Sequence, residues 1–350
     1  MSQRLLLAVV TRNRPHANCF GGSSGGFRRG VSIVELLVVT GIIGLLASLT
    51  FSAVQQSRES ARRLQCLGHL KQLGQATASF ESSNGAIPET TAGHNGLGRR
   101  WQSISPHVHL LPFLDQSQLY SQVDFAERGI GPTSDPPKST WNPELLKITV
   151  PVFRCPSDGQ QWPGANNYRA NMGGGPAVLK HVVNGVADEP ANGSGPFRIW
   201  HGTRPAEISD GLSNTALFSE RLVGGLRPSW FIGPRDYFFS QTGPIETIAD
   251  AEAACWLPAG ANPAHDAYSG TTWLMGGFRH TWYNHIRTPN SVFPDCGPQK
   301  GAFTARSAHP GGVNIVLADG AGRFITSNIE LAVWRAIATR AGTDALSGEF

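Results

Sequence analysis

Gly30-Val31-Ser32-Ile33-Val34-Glu35, running on into Leu36 to Val54, is the stretch from which the rest of the chain is read. Arg28 and Arg29 precede the glycine, and 19 uncharged residues rich in Leu, Ile and Val follow the single acid. As a helix, the 24 residues from Val31 to Val54 extend about 36 Å, enough to cross a bilayer with some tilt. Glu35 is the anomaly. A carboxylate in hydrocarbon costs about 3 kcal/mol, so an acid at this depth implies a specific partner.

On the N-terminal side, residues 1–30 carry five arginines (Arg4, Arg12, Arg14, Arg28, Arg29) and no acid. The formal charge of the whole chain is +4, but without that segment it is close to −1. The basicity is therefore topological: positive charge stays cytoplasmic while the body crosses. Nucleic acid loses its main support as a partner. The short apolar piece Leu5 to Val10 is too short to span a membrane.

On the C-terminal side, an amphipathic continuation to about Phe80 is expected, with Ala61, Leu64, Leu67, Leu70, Leu73, Ala76 and Phe80 recurring at threes and fours. Arg58, Arg62, Arg63 and Lys71 fall between them and read as a solvated face. Ser82-Ser83-Asn84-Gly85 and Pro88 stop the helix. Beyond it, 41 Gly and 24 Pro in 350 residues, with no period, point to a loop-rich β body, and 40% hydrophobic residues are ample for a core. Residues 89–100 read as a loop. Strands are expected at Val108–Leu114, Ile148–Arg154, Thr215–Glu220, Val313–Leu317 and Arg323–Ile325, and a short helix over Asp115–Phe125. The last two strands form a hairpin across Ala318-Asp319-Gly320-Ala321, and Ser327-Asn328-Ile329-Glu330 fits a capping box opening a final helix through Thr339.

Few residues promise chemistry. Gly173-Gly174-Gly175 has no Gly-Lys-Ser/Thr after it and is no phosphate loop. Asp210, Ser213, Asn214 and Glu220 read as turn-satisfying groups rather than a catalytic or Ca²⁺ cluster. His309 and Asp319 flank a strand and would lie some 17 Å or more apart along it, too far to share a ligand unless other segments fold back. No nucleophile sits beside a base, so no enzymatic activity, cofactor or metal is expected. Between Pro228 and Tyr283 aromatic residues are dense. Trp256, Trp273 and Trp282 are candidates for stacking on a sugar, although most rings in such a segment belong to a core. Of the cysteines, Cys19 lies within residues 1–30; Cys66, Cys155, Cys255 and Cys296 permit three pairings, and no CxxC supports a zinc ribbon.

Gly30 followed by Val-Ser-Ile-Val-Glu resembles the processing site of type IV prepilins and pseudopilins, usually Gly then Phe-Thr-Leu-Ile-Glu. Val31 and Ser32 are mild departures. The resemblance implies cleavage after Gly30 by a prepilin peptidase, methylation of the new amine on Val31, and pairing of Glu35 with the N-terminal amine of a neighbouring subunit. Arg62-Arg63-Leu64-Gln65-Cys66, Ile208 to Glu220, and His309 followed after nine residues by Asp319-Gly320 resemble a large bacterial family. That family joins a prepilin-type N-terminus to a body of uncharacterised, solute-binding-like label. Since Cys66 and Cys155 fall within family-like signatures, and Cys255 and Cys296 flank the later aromatic region, the expected bridges are Cys66–Cys155 and Cys255–Cys296.

The expected fold is α+β: a long N-terminal helix, transmembrane in its first half, on a loop-rich antiparallel β body with a C-terminal hairpin and helix. Residues 1–30 form a removed leader, 31–84 the helix (transmembrane over about 31–54) and 85–350 the extracytoplasmic body. The expected role is a single-pass inner-membrane subunit, cytoplasmic at its N-terminus, with its body periplasmic or extracellular. Its partners would be the peptidase and other pilin-like subunits, including copies of itself, in a pilus or type II secretion-type pseudopilus. The alternative is an anchored module that binds a glycan or solute without polymerising.

Overall fold

The computed structural model describes Gly30 and residues 32–91, 104–123, 125, 144–160, 162–175, 193–239, 247–256, 261–297 and 301–342. Residues 1–29 of the expected leader, Val31 and most of the loop expected over 89–100 lie outside the described residues.

The first element, α1, is a 52-residue helix from Ile33 to Asn84. It contributes to two compact units, one ending at Val54 and the other beginning at Gln55. In the first unit the run is exposed from end to end (Ile33, Leu37, Ile43, Leu46, Leu49 and Phe51 among others) and is long and apolar enough to cross a membrane. The hydroxyls of Thr40, Ser48, Thr50 and Ser52 bond back to carbonyls three or four residues earlier, so even the polar side chains present a satisfied surface to an apolar solvent.

In the second unit α1 buries Cys66, Leu70, Leu73, Gly74, Ala76 and Thr77. Their offsets place them on one helical face. That face is rotated from the expected stripe: Ala61 and Leu64 are exposed, Leu64 by 65%, and the buried side is centred on Cys66. The helix ends as expected at Gly85, whose φ of +78° suits glycine and whose N–H donates to the Glu81 carbonyl.

Among the described residues eight strands follow, β1 (Tyr168–Asn171), β2 (Ala216–Glu220), β3 (Tyr237–Phe239), β4 (His265–Asp266), β5 (Trp282–Tyr283), β6 (Asp295–Gly297), β7 (Gly312–Leu317) and β8 (Gly322–Thr326). The same residues include four short α-helices: α2 (Pro106–Leu110), α3 (Ser117–Tyr120), α4 (Ile248–Ala254) and α5 (Leu331–Ala336). Five strands make one sheet in the order β5-β1-β2-β7-β8, and three make a second, β4-β3-β6. The arrangement is α+β, with sheets mixed rather than purely antiparallel, since β1 pairs with β5 and β3 with β6 in parallel.

The two-residue period of β7 explains its position. Val316 joins the core that holds Cys66, Leu70 and Leu73 of α1, whereas Val313, Ile315 and Leu317 join the core around Trp334 of α5 and Ile337. The larger sheet is thus covered on one face by the second part of α1 and on the other by α5. The second sheet shares a separate small core with α4.

Several expected elements take other forms. Val108–Leu114 is helical: Pro106 starts α2 at its first turn, where a missing N–H costs nothing, and Leu111–Leu114 continues as a 3₁₀ turn. Ile148–Arg154 is not a strand, because Pro151 opens a 3₁₀ turn over Pro151–Phe153. The capping box at Ser327–Glu330 does not form. Ser327 is held instead by Asn290 and Gly311, so α5 starts at Leu331 with Glu330 as its uncapped N-cap and ends before Thr339.

α1 meets the β7–β8 turn at Gly74. A Cβ there would lie 2.7 Å from Val316 Cγ2 and 3.2 Å from Gly320 Cα. Val316 is β-branched and Gly320 is backbone, so neither yields easily. We expect Gly74→Val to destabilise the second unit by about 1–3 kcal/mol despite removing a helix-disfavouring glycine; chemical denaturation followed by circular dichroism measures it.

Candidate functional site

The residue that gathers most around it is His309. It follows β6 on a loop shaped by Asn290, whose side chain accepts from the Ser307 amide and donates to the Gly312 carbonyl. Ser307 Oγ in turn accepts from the His309 N–H and donates to the Gly312 carbonyl, fixing a tight turn just before β7. The imidazole is fully buried between two acids: Nδ1 is 2.7 Å from Glu59 Oε1 of α1, and Nε2 is 3.2 Å from Glu220 Oε1 at the end of β2. Burial on its own would depress the His309 pKa, but the bonds to Glu220 and Glu59 outweigh it and hold the imidazole above its ordinary value.

Each acid is fixed from elsewhere. Glu220 accepts from the Asn314 N–H at 2.8 Å and its side-chain amide at 2.9 Å. Glu59 accepts from Ser157 Oγ and pairs with Arg62 at 3.2 Å. Cys66 and Cys155 form a disulfide beside them, with Cα atoms 5.2 Å apart, and Cys155 Sγ lies 3.5 Å from His309 Nε2. The second bridge, Cys255–Cys296, joins α4 to β6.

Next to this cluster lies a buried ionic hub. Asp295 receives Arg221 Nε at 3.1 Å and Nη2 at 2.5 Å on one oxygen, and Arg306 Nη2 at 3.0 Å on the other. Burial works against the carboxylate, yet Arg306 and Arg221 outweigh it and hold its pKa at about 2. Arg169, which is also buried, shares Ser269 Oγ with Arg221. This hub ties β1, β2 and β6 together across the two sheets.

The sequence-predicted residues divide clearly. Gly30 is exposed, and Glu35 sits in the first turn of α1, where its carboxylate accepts from the Ser32 N–H at 2.9 Å. His309 and Asp319 stay at opposite ends of β7, as expected. Asp319 caps its own turn by accepting from the Ala321 N–H, and Gly320 takes φ +84° against α1. The motif therefore presents two contacts to α1, at Glu59 and at Gly74. Asp210 and Asn214 are turn groups: Asn214 donates to the Asp210 carbonyl, and the Asp210 carboxylate accepts from Thr339 and Gly342. Glu220 departs from that reading, being paired with His309. Arg63 is no solvated cation either; its guanidinium lies 4.6 Å from the Phe324 ring centroid. Among the aromatics, Trp273 and Trp282 are core residues bonded through Nε1 to the Ile148 carbonyl and Thr90 Oγ1, which removes both from any ligand face. Trp256 is 64% exposed.

Sequence reasoning missed Glu59 as the partner of His309. Its signal was present: Glu59, Cys66, Leu70 and Leu73 share one face of α1, so an acid there points at the body. Asp295, Arg221 and Arg306 carry no local pattern.

Two comparisons with known proteins match parts of the chain. Over 76 residues, 22% of this chain, it is 32% identical to the type II secretion system core protein G of Pectobacterium carotovorum subsp. carotovorum. The chain spans about half the length of that curated relative (49%). No solved structure matches it. Residues 55–332, well over half of the chain and including Glu59, Cys66, Cys155, Glu220 and His309, match the model of a family described as protein of unknown function (DUF1559). The chain belongs to the DUF1559 family.

Proposed function

We propose that the chain is a non-enzymatic, membrane-anchored, pilin-like subunit. A prepilin peptidase cuts it after Gly30, Val31 becomes N-methylated, and α1 then packs laterally with its counterparts in a pilus or type II secretion-type pseudopilus. The observation that carries this reading is α1 itself: an exposed apolar stretch with one acid in its first turn, continuous with a stretch that is stapled, ion-paired and packed in the body. An exposed apolar helix must be covered by lipid or by other helices, and the acid gives that packing a charge to satisfy. The similarity to a type II secretion core protein supports the same reading. The glycan-binding alternative now rests on Trp256, because Trp273 and Trp282 are inside.

The mature N-terminus tests the first step. Mass spectrometry of protein recovered from cells with the peptidase should find a chain beginning at N-methylated Val31. An intact N-terminal segment, or cleavage elsewhere, would overturn the processing step.

A further inference from the structure

We propose that Cys66, Cys155, His309 and Glu220 form a Zn²⁺ site when the Cys66–Cys155 disulfide is reduced. Its donors are two thiolates, His309 Nε2 and Glu220 Oε1. The inference does not rest on the pilin-like reading.

The geometry is nearly that of a structural zinc site. One donor atom from each of the four residues lies within 4.8 Å of all the others, and all four residues are buried. With Zn–S near 2.3 Å and Zn–N and Zn–O near 2.1 Å, tetrahedral donors stand about 3.4–3.8 Å apart. His309 Nε2 already lies 3.2 Å from Glu220 Oε1 and 3.5 Å from Cys155 Sγ. The two sulfurs have to part and the remaining donors, all within 4.8 Å of one another, to close in; the Cys66 and Cys155 Cα atoms, 5.2 Å apart, allow this by side-chain rotation.

The surroundings match as well. A metal-bound histidine is usually oriented by a carboxylate on its other nitrogen. Glu59 Oε1 stands 2.7 Å from His309 Nδ1 and is itself held by Ser157 and Arg62. Glu220 is held by two bonds from Asn314. Two thiolates and one carboxylate around a dication leave one negative charge, beside the cationic Arg221 and Arg306. Thiolate ligands select Zn²⁺ over the hard divalent cations.

The interconversion balances. A dithiol reductant gives two electrons and two protons to the disulfide and leaves as its own cyclic disulfide. Zn²⁺ then displaces the two thiol protons and, where His309 is an imidazolium, the Nε2 proton; all go to solvent. A two-electron oxidant restores the disulfide and expels the ion. The joint between α1 and the Cys155 loop thus has two alternative crosslinks, one for oxidising and one for reducing conditions, and the second also takes in Glu220 at the end of β2.

Full-length protein made in a reducing cytosol, and kept in detergent with a phosphine reductant, tests this. Titration with Co²⁺ as a probe should give one equivalent per chain, with the visible spectrum of a tetrahedral site and a sulfur-to-metal charge-transfer band that Zn²⁺ abolishes. The disulfide-bonded protein should show neither. Cys255→Ser with Cys296→Ser should keep the band, and Glu59→Gln should weaken binding about 10–100-fold while keeping it. Site-resolved alkylation of the unaltered protein provides a readout that needs no variant: Zn²⁺ should slow alkylation of Cys66 and Cys155 and leave the rates at the core residues Cys255 and Cys296 unchanged. A reduced protein with no charge-transfer band, or one in which Zn²⁺ leaves Cys66 and Cys155 as reactive as before, would overturn the proposal.

Discussion

Asp295→Ala should cost the body about 3–5 kcal/mol of unfolding free energy, because it leaves two guanidinium groups buried without their shared counter-ion. The Asp295 side chain has no solvent exposure, and those of Arg221 and Arg306 have 1% and 4%. None of the three can turn to water without opening the region between the two sheets. The carboxylate also accepts from the Thr304 N–H, so its loss leaves a backbone donor unpaired as well. Exposed Lys147, paired with Glu144, provides the contrast: Lys147→Ala should shift stability by no more than about 0.5 kcal/mol. Urea titrations of the two variants separate the cases.

Acid should destabilise the body well before its carboxylates titrate. Burial depresses the pKa of His107 to about 4, of His109 to about 4 and of His285 to about 3, although His107 bonds to the Tyr168 carbonyl and His285 to the Trp334 carbonyl. Such histidines are neutral in the folded chain and charged in the unfolded one below the ordinary value of 6.5. Their stabilisation is complete above pH 6.5 and falls as pH drops toward the folded values. Each costs about 1.4 kcal/mol per pH unit in that window, so the three together remove about 4 kcal/mol per unit. His309 has the opposite sign. Its folded pKa is raised, so its contribution is complete below 6.5 and is lost as pH rises through the folded value. Unfolding free energy measured from pH 8 to pH 4.5 should fall steeply below 6.5, and His285→Gln or His107→Gln should flatten the slope. A flat profile would show that these rings are hydrated.

These predictions rest on residues whose roles were unequally legible in the sequence. The first part of α1 could be read from hydropathy alone, because a long apolar run has few alternatives. β2 and the β7–β8 hairpin were legible for a different reason: alternation and an Asp-Gly turn are local signals, and locally they suffice. Val108–Leu114 and Ile148–Arg154 were misread because short apolar runs fit strand and helix equally, and the prolines inside or beside them decided the outcome. The second sheet was invisible, with strands of two or three residues that show no period.

The site divides along the same line. His309 stood out by spacing, but what it does depends on Glu59, 250 residues away along the chain, and Glu220, brought beside it by strand pairing. Trp273 and Trp282 looked like ligand-binding rings because composition cannot tell an exposed ring from one whose Nε1 has found an internal acceptor.

The most direct test of assembly through α1 is Glu35→Leu in cells that process the precursor normally, with in-cell crosslinking of the mature subunits. If Glu35 carries the intersubunit charge pair, multimers should fall on the order of a hundred-fold while the mature N-terminus and the membrane-bound amount stay unchanged. Multimers at the wild-type level in Glu35→Leu cells would contradict it.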